Sequence, residues 1–445
     1  MTDLDILLSK DAEMTPEGAL RLGKIIGRSF KNILVGTDSN PCNGMIKDSV
    51  ISGLLSVGAS VRDLGIIPMP LMTLPARGDC ILSISEPDEQ GIMGRITILN
   101  PDGSPLTQEQ IKQMVRTAEG DRNLPKYKDV GALHHYSTVT EDYIDMMVEE
   151  HHTCNGAPVI LDCGCGCTSL CVPQILASLG ADLITIDAQP NAKYCSRSPS
   201  VEKGNLSVLL DMVRNNAGNI GIALNGNGTH LALIDEGGDY VEPDRVLSLI
   251  LLYLKPTSLV IPVSMSSVAD DAINNLIGEG INTPHQAHSE HTVIRAGDDI
   301  DSIIAAMKEH DADIGALSDG GIIYSDMSLC PNAINTAIIL SKMAGDNNIR
   351  DLLSSFPKYI VLTDSIKHSG NRDLFEKKLD EKIGDLENTD IWRTNVLRVG
   401  MNHGWFTVSR DSEDPELIRI TAESKDRAYV VSLMELAKDI VRKCL

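Results

Sequence analysis

Four cysteines, Cys163, Cys165, Cys167 and Cys171, lie within nine residues of one another. Thiolates at such short spacing can converge on one soft metal ion or an iron–sulfur cluster. The spacing C-x-C-x-C-x3-C follows neither a zinc nor a ferredoxin pattern, and small thiols packed at a strand-to-helix turn explain it more cheaply. His285, His288 and His291 recur every third residue in an expected loop. Imidazoles are common metal ligands and a loop can gather three of them, although exposed histidines beside Glu290 are the simpler reading. The pairs His134-His135 and His151-His152 read as surface residues. Asn225-Gly226-Asn227-Gly228 is turn chemistry, because Asn and Gly both tolerate positive φ.

These residues sit in a repeating rhythm of apolar strand, glycine-containing turn and amphipathic helix, the signature of α/β units with mainly parallel sheets. Strands are expected at 32–36, 60–64, 81–85 and 96–100, with helices at 15–30, 47–57 and 107–119 and a connecting loop at 120–136. A second unit opens at Pro158–Asp162 and runs through a helix at 172–179 and a strand at 182–186. It ends in strands at 220–224 and 231–235. A third unit contains strands at 258–262 and 314–317 and helices at 268–277, 300–309, 332–343 and 349–355. From about Lys367 the pattern changes to a charged helix, strands at 394–399, 405–409 and 417–422, and a last helix at 428–443, a smaller α+β domain.

The length of 445 residues exceeds what one ordinary core fills and suggests three or four domains. The expected borders are 1–150, 151–254, 255–366 and 367–445. Apolar residues make up 42% of the chain and aromatics 3%, so Val, Ile, Leu, Met and Ala must fill the cores. A net charge of −23 argues against nucleic acid or an anionic membrane as partner. No apolar run approaches the roughly 20 residues of a membrane helix, and the N-terminus lacks the order of a signal peptide. A cytoplasmic protein with reduced thiols is expected.

Particular stretches resemble the α-D-phosphohexomutase family, which includes phosphoglucomutase, phosphomannomutase and phosphoglucosamine mutase. They are Leu54–Gly58 followed by Val61–Pro70, then Leu99–Gly103, Ile160–Gly164, Ile186–Pro190, Gly320–Tyr324 and Leu417–Ile420. The resemblance spans nearly the whole chain. It implies a four-domain α/β architecture, with three mixed-sheet α/β domains and a smaller C-terminal α+β domain around a central cleft. Each domain would supply one loop for phosphoryl transfer between the 1- and 6-positions of a hexose, through a phosphoserine and Mg²⁺.

All four loops can be located, and all four depart from the family pattern. The serine loop, normally T-A-S-H-N-P, corresponds to Ile81–Met93 and places Ser83 on the nucleophile, with Ile84 and Met93 where His and Lys are usual. Three acidic residues crowd it and would repel a phosphoserine, with Arg95 the nearby cation. The metal loop D-G-D-x-D-R has become Asn225-Gly226-Asn227-Gly228-Thr229-His230, so the ligand positions Asn225, Asn227 and Thr229 carry no carboxylate. The sugar loop G-E-x-S/N-G corresponds to Gly315–Gly321, with Leu317 at the carboxylate position and Ser318 and Asp319 as the remaining polar candidates. The phosphate loop R-P-S-G-T-E-P corresponds to Arg410–Pro415. It keeps Arg410 and Ser412 but adds three carboxylates to what should be an anion nest. The N-terminal Arg-bearing loop is represented by Ile6–Ala12, and G-R-D-x-R by Gly36–Asn40, without their arginines.

Three functions follow as expectations. The first is a mutase-fold protein with lost or strongly altered phosphotransferase activity that binds, scaffolds or regulates, its partner a protein or a small phosphorylated metabolite. The second is a working phosphosugar mutase using Ser83 and unusual metal ligands, with Mg²⁺ as cofactor. The third is a soft-metal, iron–sulfur or redox role through the clustered cysteines.

Overall fold

The structure is a computed structural model that describes residues 14–74, 78–85, 94–120, 125–151, 153–278, 292–368, 370–384, 386, 389–411, 414 and 416–445. The expected sites at Ile6–Ala12, Glu86–Met93, His152, His285, His288, His291 and Ser412 lie outside them. The chain divides into two compact units, Met1–Glu242 with Gly321–Asp351, and Pro243–Gly320 with Leu352–Leu445.

Unit 1 begins with helix α1 (Pro16–Ser29), started by Thr15, whose side chain accepts from the Gly18 N–H, and by Pro16. Strand β1 (Asn32–Thr37), α2 (Pro41–Leu55), β2 (Ser60–Ile66), β3 (Cys80–Ser85) and β4 (Arg95–Leu99) follow. After α3 (Gln108–Gly120) comes β5 (Leu133–His135), and the strand order is β4-β3-β1-β2-β5. β1, β2, β3 and β5 run parallel, and β4 returns antiparallel to β3. The helices α1 and α2 approach closely enough that a Cβ on Gly23 would meet the Val50 carbonyl oxygen at 2.2 Å. Ile26, Ile33, Val35, Ile46 and Leu54 form the core beneath them. The stretch expected as a connecting loop at 120–136 thus contributes β5. Its three exposed residues pair with β2 without burying a face, which is why no periodicity announces it.

Helix α4 (Val139–Glu150) leads to β6 (Pro158–Asp162), α5 (Val172–Ser178), β7 (Asp182–Ile186), α6 (Ser207–Asn215), β8 (Ile220–Leu224), β9 (Leu231–Ile234) and β10 (Tyr240–Val241). β7, β6 and β8 are parallel neighbours, and β9 and β10 extend the sheet antiparallel. β6 and β8 are buried along almost their full length, as strands covered on both faces must be.

In unit 2, α7 (Pro243–Leu254) precedes β11 (Ser258–Pro262), α8 (Val268–Gly278), β12 (Thr292–Ala296), α9 (Ile300–His310) and β13 (Ile314–Ala316). β11 lies between β12 and β13, all parallel. The chain then re-enters unit 1 with the antiparallel hairpin β14 (Ile322–Tyr324) and β15 (Ser328–Pro331), helix α10 (Ala333–Asp346) and α11 (Ile349–Ser355), whose last residues pass into unit 2.

The last sheet is wholly antiparallel, in the order β16 (Ile360–Lys367), β20 (Leu417–Ser424), β19 (Gly404–Arg410), β18 (Leu397–Met401), β17 (Asp390–Arg393). α12 (Arg372–Gly384) and α13 (Arg427–Cys444) cover one face, where Phe375, Phe406, Ile420 and Leu433 share a core. β16 pairs with β20 along all eight residues, so this sheet begins at Ile360. Among the described residues no helix is long and apolar enough to cross a membrane.

Candidate functional site

In parallel α/β sheets, ligands bind beyond the carboxyl ends of the strands, where loops diverge. Unit 1 has a cavity of about 300 Å³ at such ends. Asp38 and Ser39 follow β1, Ser85 closes β3, Arg95 and Thr97 lie on β4, Gly164 and Gly166 follow β6, and Asn225 to His230 join β8 to β9. The two α/β layers of the unit also touch here directly, since the Ser39 hydroxyl donates to the Cys165 carbonyl at 2.7 Å.

The structure separates the two serines of the serine loop. Ser83 is 2% exposed and sits inside β3, paired with Gly36 on one side and Thr97 on the other. Ser85, two residues on and therefore on the same face of the strand, is the serine that lines the cavity. Strand parity puts both serines on one face, and the rule that sites form at strand ends would have pointed to Ser85 from sequence. Arg95, opposite it in register, is exposed.

The loop at the family's metal position is closed upon itself. Asn225 Oδ1 accepts from the N–H groups of Gly228, Thr229 and His230 at 3.0, 3.0 and 3.1 Å. Asn225 Nδ2 donates to Thr229 Oγ1 at 3.0 Å, and Asn227 Oδ1 accepts from the Thr229 N–H and hydroxyl at 3.2 and 2.7 Å. Both amide oxygens serve the turn, and none of the three side chains is a carboxylate. Mg²⁺ prefers an octahedral oxygen shell that includes carboxylates, and these residues do not fit it. The carboxylate that does line the cavity, Asp38, accepts through Oδ1 from Asn40 N–H at 3.0 Å and Asn43 Nδ2 at 2.7 Å.

Arg197 also lines the cavity, but as a brace. Its Nε donates to Asp162 at 2.8 Å and its Nη2 to the Leu224 carbonyl at 2.8 Å, tying the ends of β6 and β8 together. Gly164, at φ +52°, makes room for that guanidinium, for a Cβ there would lie 2.6 Å from Arg197 Nη2.

The four clustered cysteines do not gather. All are buried, yet among the described residues no three of their sulfurs lie within 4.8 Å of one another. Cys167 donates its thiol to the Gly226 carbonyl at 3.0 Å and Cys171 to the Thr168 carbonyl at 3.6 Å. Burial pushes the Cys171 thiol up to about 12 and holds Cys163 and Cys167 well above the ordinary thiol value. These are protonated core residues, packed where the chain turns from β6 through a short 3-10 turn into α5. Cys165 alone faces elsewhere, toward Asp187 and Cys195.

Ser318 and Asp319 are exposed in the turn after β13, and Arg410 ends β19. Both places belong to unit 2. Asp411 pairs with Arg419 and its N–H donates to the Leu417 carbonyl. Unit 2 has a larger cavity, about 640 Å³, at the opposite end of its antiparallel sheet, against the β18–β19 turn and the start of α13. It is lined by both tryptophans of the chain, Trp392 and Trp405, and contains none of the described residues expected for phosphoryl transfer.

This fold, with a serine-bearing strand end facing the β8–β9 turn, defines a phosphohexomutase scaffold, and the chain belongs to the α-D-phosphohexomutase family. Residues 8–124 match domain I, and residues 141–238 domain II, of the phosphoglucomutase/phosphomannomutase α/β/α models. The chain is 28% identical over 435 residues to a probable phosphoglucosamine mutase of Methanocella arvoryzae, covering 97% of this chain and 95% of that one. It is 27% identical over 442 residues to one of Methanococcoides burtonii, covering 97% and 96%. A phosphoglucomutase/phosphomannomutase family protein from Burkholderia thailandensis shares the fold at a TM-score of 0.83 with 15% identity, covering 98% of this chain and 95% of that one. A putative phosphomannomutase from Thermus thermophilus does so at 0.71 with 17% identity, covering 97% and 96%.

Proposed function

We propose that this protein binds a phosphorylated hexose or hexosamine in the unit 1 cavity and has lost, or strongly reduced, Mg²⁺-dependent transfer of phosphate between the 1- and 6-positions. The observation that carries this reading is the Asn225–His230 loop, whose amide oxygens are spent on its own backbone and which offers no carboxylate. Phosphoryl transfer asks a protein for positioning and charge compensation above all, and a metal-loop position without anionic ligands removes the main means of providing them. The relatives named phosphoglucosamine mutase support a phosphorylated amino sugar as the ligand class.

A second reading is favoured by one observation. Ser85 lies at the cavity together with Thr97 and Arg95, so a nucleophilic hydroxyl is in place should another cation serve. The deciding experiment is a coupled mutase assay with glucosamine and hexose 1-phosphates, a 1,6-bisphosphate primer and Mg²⁺ or Mn²⁺. It is run beside calorimetric binding of the same sugars and phosphoprotein mass spectrometry. Binding without turnover or phosphoserine is expected. Turnover that vanishes in Ser85→Ala and persists in Ser83→Ala would establish the second reading instead.

A further inference from the structure

We propose that Cys165, Cys195 and Asp187 form a binding site for a soft or borderline divalent cation of the Zn²⁺ type at the edge of the unit 1 cavity. Their ligand atoms all lie within 4.8 Å of one another. Cys195 Sγ is 3.7 Å from Asp187 Oδ2, and bonds of about 2.3 Å to sulfur and 2.1 Å to oxygen put tetrahedral neighbours about 3.6 Å apart. Two thiolates and one carboxylate are a donor set that suits such an ion, and three protein ligands are the number found in sites that keep an open position.

The surroundings hold these donors in place. Cys165 follows β6 and Asp187 follows its parallel neighbour β7, and the Cys165 N–H donates to the Asp187 carbonyl at 2.8 Å, fixing one loop against the other. Gln189 Nε2 donates to Cys165 Sγ at 3.4 Å and orients it. The Ser196 N–H and hydroxyl donate to Asp187 Oδ2 at 3.0 and 2.5 Å and orient the carboxylate. Outer contacts of this kind fix the direction and basicity of metal ligands. Cys195 itself lines the cavity with Ser85 and Asn227, which leaves a fourth position for water or a ligand oxygen. Binding as two thiolates releases the two thiol protons to solvent.

The site is distinct from the family's metal position, whose residues here carry neither thiol nor carboxylate, and it stands whether or not the chain turns over sugar phosphates. The test uses the full-length protein, purified reduced, stripped with chelator and titrated with Co²⁺ and then Zn²⁺. One equivalent of Co²⁺ should give a thiolate-to-cobalt charge-transfer band that Zn²⁺ abolishes. Cys195→Ser and Asp187→Asn should each weaken Zn²⁺ binding by more than about 100-fold, and Gln189→Ala by about 10-fold. Cys171→Ser should leave it unchanged. Asp187 has φ +48°, which Asn adopts readily, so Asp187→Asn keeps the loop folded and carries the test if Cys195→Ser does not. Absence of the band, or a band that survives both variants, overturns the proposal. Loss in Cys167→Ser with retention in Cys195→Ser would move the metal to the clustered cysteines and overturn it equally.

Discussion

Neighbouring strand ends of one sheet treat their polar atoms in opposite ways. After β8, Asn225 and Asn227 give their amide oxygens to backbone donors of their own turn. After β6 and β7, Cys165 and Asp187 turn toward each other and toward Cys195, with outer donors steadying them. A polar side chain committed to its own backbone is architecture. Asp187 also accepts from a backbone N–H, that of Ser196, but a carboxylate offers about four lone-pair sites and so can serve a ligand as well. The contrast shows a loop that keeps the family's place in the fold with its amides spent on itself, and a donor set gathered at another edge of the same cavity.

The sharpest way to break the comparison is to remove the closure. Asn225→Ala removes one acceptor from each of three backbone N–H groups, of which Thr229 and Gly228 keep a second in Asn227 Oδ1 and the Asn225 carbonyl, and should cost about 2–4 kcal/mol in chemical denaturation, since an unsatisfied buried group costs about 1–3 kcal/mol and the Thr229 hydroxyl loses its Asn225 donor as well. Asn225→Asp keeps the acceptor for all three and should stay within about 1 kcal/mol of wild type. If Asn225→Ala is equally mild, the turn is not held by this side chain and its amide is free to serve a ligand after all.

A smaller effect is expected across the gap between the two loops. Gly164→Ala forces a Cβ into left-handed backbone at φ +52° and toward the Arg197 guanidinium, and should destabilise by about 1–3 kcal/mol. Arg197 joins Asp162 to Leu224, so the same variant should loosen both strand ends, read as faster amide exchange at Asn225 to His230. Loss of stability without faster exchange there would show that the two loops are independent.

Much of this architecture was readable because buried parallel strands are runs of Val, Ile and Leu. Pro158–Asp162, Ile220–Leu224 and Ser258–Pro262 fall where expected. β16 carries no apolar run to announce it, because it alternates half-buried and exposed residues at a sheet edge. Helix α2 begins earlier than its apolar pattern suggests, at Pro41, because Asn40 caps it through the Cys42 N–H. The loops could be found by order, but their contents could not be assembled. Cys195 stands 30 positions from Cys165 with no spacing rule to join them, and among the described residues the cysteines nearest in sequence supply no group of three close donors of their own. Motif matching places the nucleophile on Ser83, whereas the strand brings Ser85 to the cavity.

Unit 2 offers the finest test, within one side chain. Glu423 is fully buried, and its Oε1 accepts from Trp405 Nε1 at 2.7 Å and from the Ser267 N–H at 2.9 Å, while its Oε2 has no hydrogen-bond partner among the described residues. Burial raises this carboxyl above its ordinary value of 4.5, against the lowering effect of the Ser266 hydroxyl beside it, of Ser267 and Trp405, and of Arg398. A carboxyl raised on folding contributes most while protonated, and that contribution is lost as pH rises from below the unfolded value through the folded one. Glu423→Gln keeps an acceptor for Trp405 and Ser267 and removes the charge. Its stability relative to wild type, from urea midpoints at a series of pH values, should therefore increase as pH rises from 4.5. A relative stability that falls with pH would mean that the nearby Arg398, itself pushed down to about 9 mainly by burial, holds Glu423 ionised. The unspent oxygen would then be matched by charge without a hydrogen bond.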